Sequence, residues 1–130
     1  MLALAKLGVF ASALWLLFAS VAMLSNPERC LEILRKMGST PVIHFGEHIL
    51  RGLAGLCLMG IAAHTPYPRV FLAVGGFLVG TSLLIGLAPR RLHHSYAVYW
   101  ADKISPVAFR VMSVVPLAVG GYLVYVVVRV

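Results

Sequence analysis

An all-α fold, a bundle of four membrane-spanning helices, is what this chain predicts, on three observations. First, 61% of its 130 residues are apolar and only 12% are charged, whereas a soluble domain carries about 25% charged residues. Second, residues 7–25, 70–88 and 111–128 are free of charge, each close to the roughly 20 apolar residues that cross a bilayer. Third, residues 53–63 are apolar too, and reach spanning length when extended back to about Phe45. The chain is then one integral membrane domain, with spans at about 5–25, 41–64, 69–88 and 106–128. The alternative has three spans, with 41–64 a re-entrant or surface segment.

The elements follow in order. Residues 5–25 form the first span. A secretory signal competes for residues 1–22, with Ser20-Val21-Ala22 as its cleavage site. A signal's apolar core is about 7–15 residues, and this run is longer, which favours a retained helix. Asn26-Pro27-Glu28 reads as an N-cap, a proline at the first helical position and an acid in the first turn. Gly38 closes that helix, predicted over 27–37. Cys30, Leu31, Ile33, Leu34 and Met37 form one face of it. Glu28, Arg29, Glu32, Arg35 and Lys36 form the other, with Glu32 and Lys36 at i,i+4. This is the pattern of a short amphipathic helix lying on a bilayer surface.

Thr40-Pro41 repeats the cap-and-proline pattern at the start of span two, and Ser105-Pro106 does so before span four. Pro66 and Pro68 mark a tight turn between spans two and three. Residues 92–103 are expected to be helical, with Tyr96, Tyr99 and Trp100 as an interfacial aromatic belt. Pro116 removes a backbone hydrogen bond inside span four and predicts a kink there.

The formal charge of +7 is not a nucleic-acid footprint, because the basic residues are dispersed at the ends of apolar runs. Arg29, Arg35, Lys36, Arg51, Arg90, Arg91, Lys103 and Arg110 fall on one side, against Lys6, Arg69 and Arg129 on the other. The positive-inside rule puts the first set in the cytoplasm, so the expected location is the bacterial inner membrane with both termini periplasmic. Cys30 and Cys57 are too differently placed to pair, and no CxxC motif occurs. Small residues mark helix contacts: Gly52, Gly55 and Gly60 in span two, and a GxxxG of Gly76 and Gly80 in span three. That GxxxG serves either internal packing or a homo-oligomer.

The most informative feature is a stripe of ionisable residues, His44, Glu47, His48 and Arg51, where span two enters the membrane. At helical rotation they fall within an arc of about 100°. Charge facing hydrocarbon costs several kcal/mol, so the stripe must face protein, water or headgroups. On the expected topology His93, His94, Tyr96, Tyr99, Trp100 and Arg110 lie on the same side. The most economical account is structural: Glu47 pairs with Arg51 at i,i+4, Arg51 snorkels to headgroups, and the histidines fill the interface.

A second account is a polar pocket for a lipid, quinone or other amphiphile. Arg51 and Arg110 would hold its head, Tyr96, Tyr99 and Trp100 would line the entrance, and the span-two glycines would leave room for the tail. A third is a metal site, with zinc or iron held by His44, His48, His93 and His94; haem between two histidines is a variant. His44-Phe45-Gly46-Glu47-His48 resembles the HxxEH of inverted zinc peptidases. Together with His93-His94 it is similar to fragments of the histidine boxes of membrane desaturases.

Glu47, Arg51-Gly52, Gly55 and Gly60 also resemble small bacterial four-span proteins of the DoxX-like kind, in which an acid and an arginine open a glycine-rich second helix. The resemblance implies a compact antiparallel bundle and association with quinone-linked or redox membrane complexes. The reading placed first is non-enzymatic: a small inner-membrane protein, or an accessory subunit of a larger complex, whose polar pocket binds an amphiphile without catalysis of its own and without a cofactor. The metal or haem redox protein or hydrolase comes second. A homo-oligomeric transporter with Glu47 as a protonatable group comes third.

Overall fold

The computed structural model describes residues 1–130 and is all-helical, with no strand. The elements are α1 (Leu2–Ser25), α2 (Pro27–Arg35), α3 (Pro41–Ile61), α4 (Pro68–Leu87), α5 (Arg90–Lys103), α6 (Pro106–Met112) and α7 (Val114–Arg129). A 3₁₀ turn, Ala62–His64, prolongs α3. Four stretches are long and apolar enough to cross a membrane: Leu2–Ser25, Pro41–His64, Pro68–Leu87 and Pro106–Arg129. The second has a mean hydropathy of 1.2 against 2.2 for the others, the direct effect of its ionisable stripe.

The helix starts are set locally. The Asn26 side chain accepts a hydrogen bond from the Arg29 N–H at 3.2 Å, Thr40 Oγ1 from Ile43 at 3.2 Å, and Ser105 Oγ from Ala108 at 3.1 Å. Each cap is followed by a proline, which has no N–H to orphan. The end of α2 differs from the expected residue 37. The helix stops at Arg35, and Lys36 and Met37 already belong to a turn completed by Gly38 at φ +70°. A side chain at Gly38 would lie 2.9 Å from the His94 backbone nitrogen, so the glycine serves both the backbone conformation and the approach of α5.

At the predicted kink the helix is interrupted at one residue, Ser113, between α6 and α7, with Ser113 itself still at helical dihedrals (φ −61°, ψ −20°). Pro116 cannot donate to the carbonyl of Met112 four residues earlier, and its ring crowds that carbonyl. Ser20 Oγ of α1 donates to the Ser113 carbonyl at 2.8 Å, clamping the break from the neighbouring helix.

The long helices pack most extensively in the order α4–α3–α1–α7, and α4 meets α7 where Phe71 faces Tyr122, ring centroids 6.4 Å apart. Neighbours run antiparallel: Gly55 meets Gly75 and Gly86 meets His48 across α3 and α4, Gly8 meets Cys57 across α1 and α3, and Gly120 meets Ala13 and Leu17 across α7 and α1. The apolar core of Val9, Ala13, Leu58, Ile61, Ala62, Phe71, Leu123 and Val126 sits at the end that holds the termini. The opposite end is built from α2 and α5. The apolar face of α2 is partly covered there, with Leu31 buried and α2 packed on α5 and α6. Ala97 and Ala101, one turn apart, form the buried face of α5.

Gly55 and Gly75 make the closest backbone approach, where an added Cβ would lie 2.7 or 2.6 Å from the opposite carbonyl oxygen. Gly76 and Gly80 of the GxxxG point away, with nothing within 4 Å of an added Cβ. The α3–α4 contact therefore uses the glycine one position before the motif, because the face of α4 turned to α3 carries Phe71, Gly75 and Ser82.

Candidate metal centre at the α3–α5 junction

Three histidines from two helices converge. His44 and His48 are one turn apart on α3 and buried, and His93 reaches them from α5. One ligand atom from each lies within 4.8 Å of the other two. The ring centroids are 4.9 Å apart for His44–His48, 5.2 Å for His44–His93 and 4.9 Å for His48–His93.

The hydrogen bonds fix the chemistry. His44 Nε2 lies 3.3 Å from the Gly86 carbonyl, which can only accept, so Nε2 carries the proton. In a neutral ring the lone pair is then on Nδ1, and Nδ1 is 3.1 Å from His93 Nδ1. The other nitrogen of His93, Nε2, lies 3.9 Å from Glu47 Oε2. Neither nitrogen of His48 has a partner, and neither does Glu47 Oε2. A buried polar atom left unpaired costs about 1–3 kcal/mol, so these orphans concentrate unmet demand at one point. Burial pushes the His93 imidazole below its usual 6.5, and His44, Arg51 and His94 lower it further against the opposing pull of Glu47.

The order of α3 explains half of this. Its capped start at Thr40 puts residue 44 one turn in, and i,i+4 spacing stacks His48 above it. The other half is tertiary. Arg90 donates to the Gly38 and Ser39 carbonyls, His94 Nδ1 bonds the Met37 carbonyl at 2.9 Å, and Arg35 pairs with Asp102. These contacts hold α5 across the α2–α3 turn and aim His93 inward.

Several sequence expectations separate here. His94 is spent on Met37 and does not join the other three. Glu47 makes no ion pair with Arg51; its neighbour is His93. Arg51 is half-buried on α3. Arg110 is exposed and lines a hollow with Ser25, Asn26 and Glu28, on the α1–α2 junction rather than at the histidines. Tyr96, Tyr99 and Trp100 cluster with one another on the outer face of α5, with Lys103 Nζ donating to Tyr99 OH at 2.6 Å. The buried face of α5 is the one carrying Ala97 and Ala101. His64 lies exposed in the 3₁₀ turn at the far end.

Two participants escaped the sequence. The Gly86 carbonyl sets the His44 tautomer, and Ser82, buried with an unpartnered Oγ, lines the same cavity as His48. A small residue four before Gly86 on the same α4 face was the available signal.

Comparison with protein-family models, with curated proteins and with solved structures gives no match to this chain.

Proposed function

We propose that this chain is an integral protein of the bacterial inner membrane that binds one divalent transition ion, zinc or iron, at His44, His48 and His93, with Glu47 behind His93. The observation that carries this reading is the His44 Nδ1–His93 Nδ1 distance of 3.1 Å. Two imidazoles on one tetrahedral zinc, with bonds of about 2.0–2.1 Å, hold their nitrogens about 3.3 Å apart. A metal-bound histidine typically donates its second N–H to a carbonyl or carboxylate. His44 has Gly86 in that place and His93 has Glu47. An all-nitrogen set with a nearby carboxylate suits zinc or iron. The three rings already touch, which favours a bare ion over a haem plate between them.

The membrane setting rests on the surface. Leu50, Leu84 and Leu87 are 70%, 72% and 86% exposed, and apolar surface repeated along all four long helices needs lipid around it. The α2–α5 end carries most of the Arg and Lys, which orients it to the cytoplasm. No reaction follows from the site alone, and the role is binding.

The test is stoichiometry. Detergent-purified protein is loaded with Zn²⁺, desalted and analysed by inductively coupled plasma mass spectrometry, and the Co²⁺ form is examined for visible d–d bands. One ion per chain is expected, lost in His44→Ala and in His48→Ala. Equal metal in wild type and both variants would defeat the reading.

A further inference from the structure

We propose that the cavity between α3 and α4 is a lateral binding groove for a neutral single-chain lipid, whose uncharged oxygen head comes to rest on Ser82 and His48. It is a pocket of ≈ 360 Å³, at the small end of ligand sites, which run about 300–1,000 Å³. Its walls are apolar, with Phe45, Leu53, Leu56, Leu83 and Leu87 among them, and its polar floor is His48 and Ser82.

The cavity exists because α3 and α4 touch only in part. At Gly55 and Gly75 the backbones are in contact. Toward α5 they are looser: a Cβ on Gly52 would be 3.7 Å from Ser82, and one on Gly86 would be 3.7 Å from His48. The wall leucines are themselves exposed on the outer side, so the groove opens where acyl chains would lie, and a ligand enters from the bilayer rather than from water.

The floor decides the head. Ser82 and His48 are more than nine-tenths buried, and Ser82 Oγ and both His48 nitrogens have no partner. Ser82 even leaves its own helix unbonded, whereas Thr81 beside it donates to the Phe77 carbonyl at 2.7 Å. A hydroxyl and an imidazole can each donate to a carbonyl or alcohol oxygen. No Lys or Arg lines the pocket, so a charged head would lose its hydration there with no basic side chain to replace it. An ester, alcohol or aldehyde head on one chain fits; a diacyl phospholipid head does not. The groove does not need the metal reading, although His48 is common to both. Only the consequence that the head lies beside the ion, sharing His48 with it, rests on that reading.

The test uses the full chain in nanodiscs and a photoreactive monoacylglycerol carrying a diazirine in its chain. Crosslinked peptides are mapped by mass spectrometry, with unlabelled monoacylglycerol or phosphatidylglycerol as competitor. Label is expected on the groove walls of α3 and α4. It should fall at least fivefold in Gly52→Leu, which fills the groove, but not in Gly52→Ala, and fall in Ser82→Ala. Monoacylglycerol competes and phosphatidylglycerol does not. Label spread evenly over all lipid-facing helices, or unchanged in Gly52→Leu, overturns the proposal, as does competition by phosphatidylglycerol. Zinc content of Gly52→Leu is measured alongside. Groove labelling without zinc in the wild type would sink the metal reading alone, and zinc without groove labelling would sink this one alone.

Discussion

His44 and His93, 49 positions apart in the chain, face each other through their Nδ1 atoms while their Nε2 atoms face away, to the Gly86 carbonyl and toward Glu47. In the metal-free pair His44 Nδ1 accepts from His93 Nδ1–H; a metal between the rings would replace that shared proton and leave both Nε2 atoms to donate outward.

Glu47 is therefore expected to act through His93 rather than on the ion. Outer partners of metal ligands contribute about 10–100-fold in affinity. Glu47→Gln should weaken Zn²⁺ binding by that factor and keep the Co²⁺ spectrum tetrahedral, whereas His93→Ala should abolish both. Competition with a chromophoric chelator measures the first. A Glu47→Gln variant with wild-type affinity would remove Glu47 from the site.

Acidity should loosen the metal-free protein. The folded His93 ring holds its proton less well than the 6.5 of a free imidazole, chiefly through burial. The unfolded chain then binds more protons, so stability rises with pH. That contribution is complete above 6.5 and is lost as pH falls below it. Melting of chelator-treated protein in detergent should drop between about pH 7 and pH 5, less steeply in His93→Gln. A flat profile would contradict the burial of this ring.

Adding one carbon to Gly75 should matter more than adding one to Gly76. An added Cβ on Gly75 lies 2.6 Å from the Gly55 carbonyl oxygen, and on Gly76 it meets nothing within 4 Å. Overpacking of this kind costs about 1–3 kcal/mol. Gly75→Ala should lower stability by that amount in a denaturant titration, and Gly76→Ala and Gly80→Ala should leave it unchanged. If Gly76→Ala also destabilised, that outer face would be a contact surface between copies.

Gly38→Ala combines two penalties, a left-handed backbone at φ +70° and a 2.9 Å clash with the His94 nitrogen. A non-glycine residue in such a conformation costs about 1–3 kcal/mol. Because the turn at Gly38 seats α5, and because its added Cβ would also lie 3.0 Å from His93 Nδ1, the variant should lose zinc affinity as well as stability. Retained affinity would mean that α5 docks without this turn.

What the sequence determined by itself was local. Composition and run length set four helices of spanning length, and Asn26, Thr40 and Ser105, each ahead of a proline, set where three helices begin. The i,i+4 spacing put His44 and His48 on one face, and Pro116 announced the break in the last long stretch. Each depends only on neighbours within a turn or two. The tertiary structure alone decided which histidine of the 93–94 pair joins them. A helix rotated by one residue, about 100°, exchanges the two, and that rotation is set by Gly38, Arg90 and Asp102 docking α5. It also decided that Glu47 faces His93 instead of Arg51, that Gly75 rather than Gly76 meets α3, and that Arg110 and the three aromatic residues stay outside the site. Periodicity ranks the faces of a helix, but the partner that packs against each face is fixed only when distant segments meet.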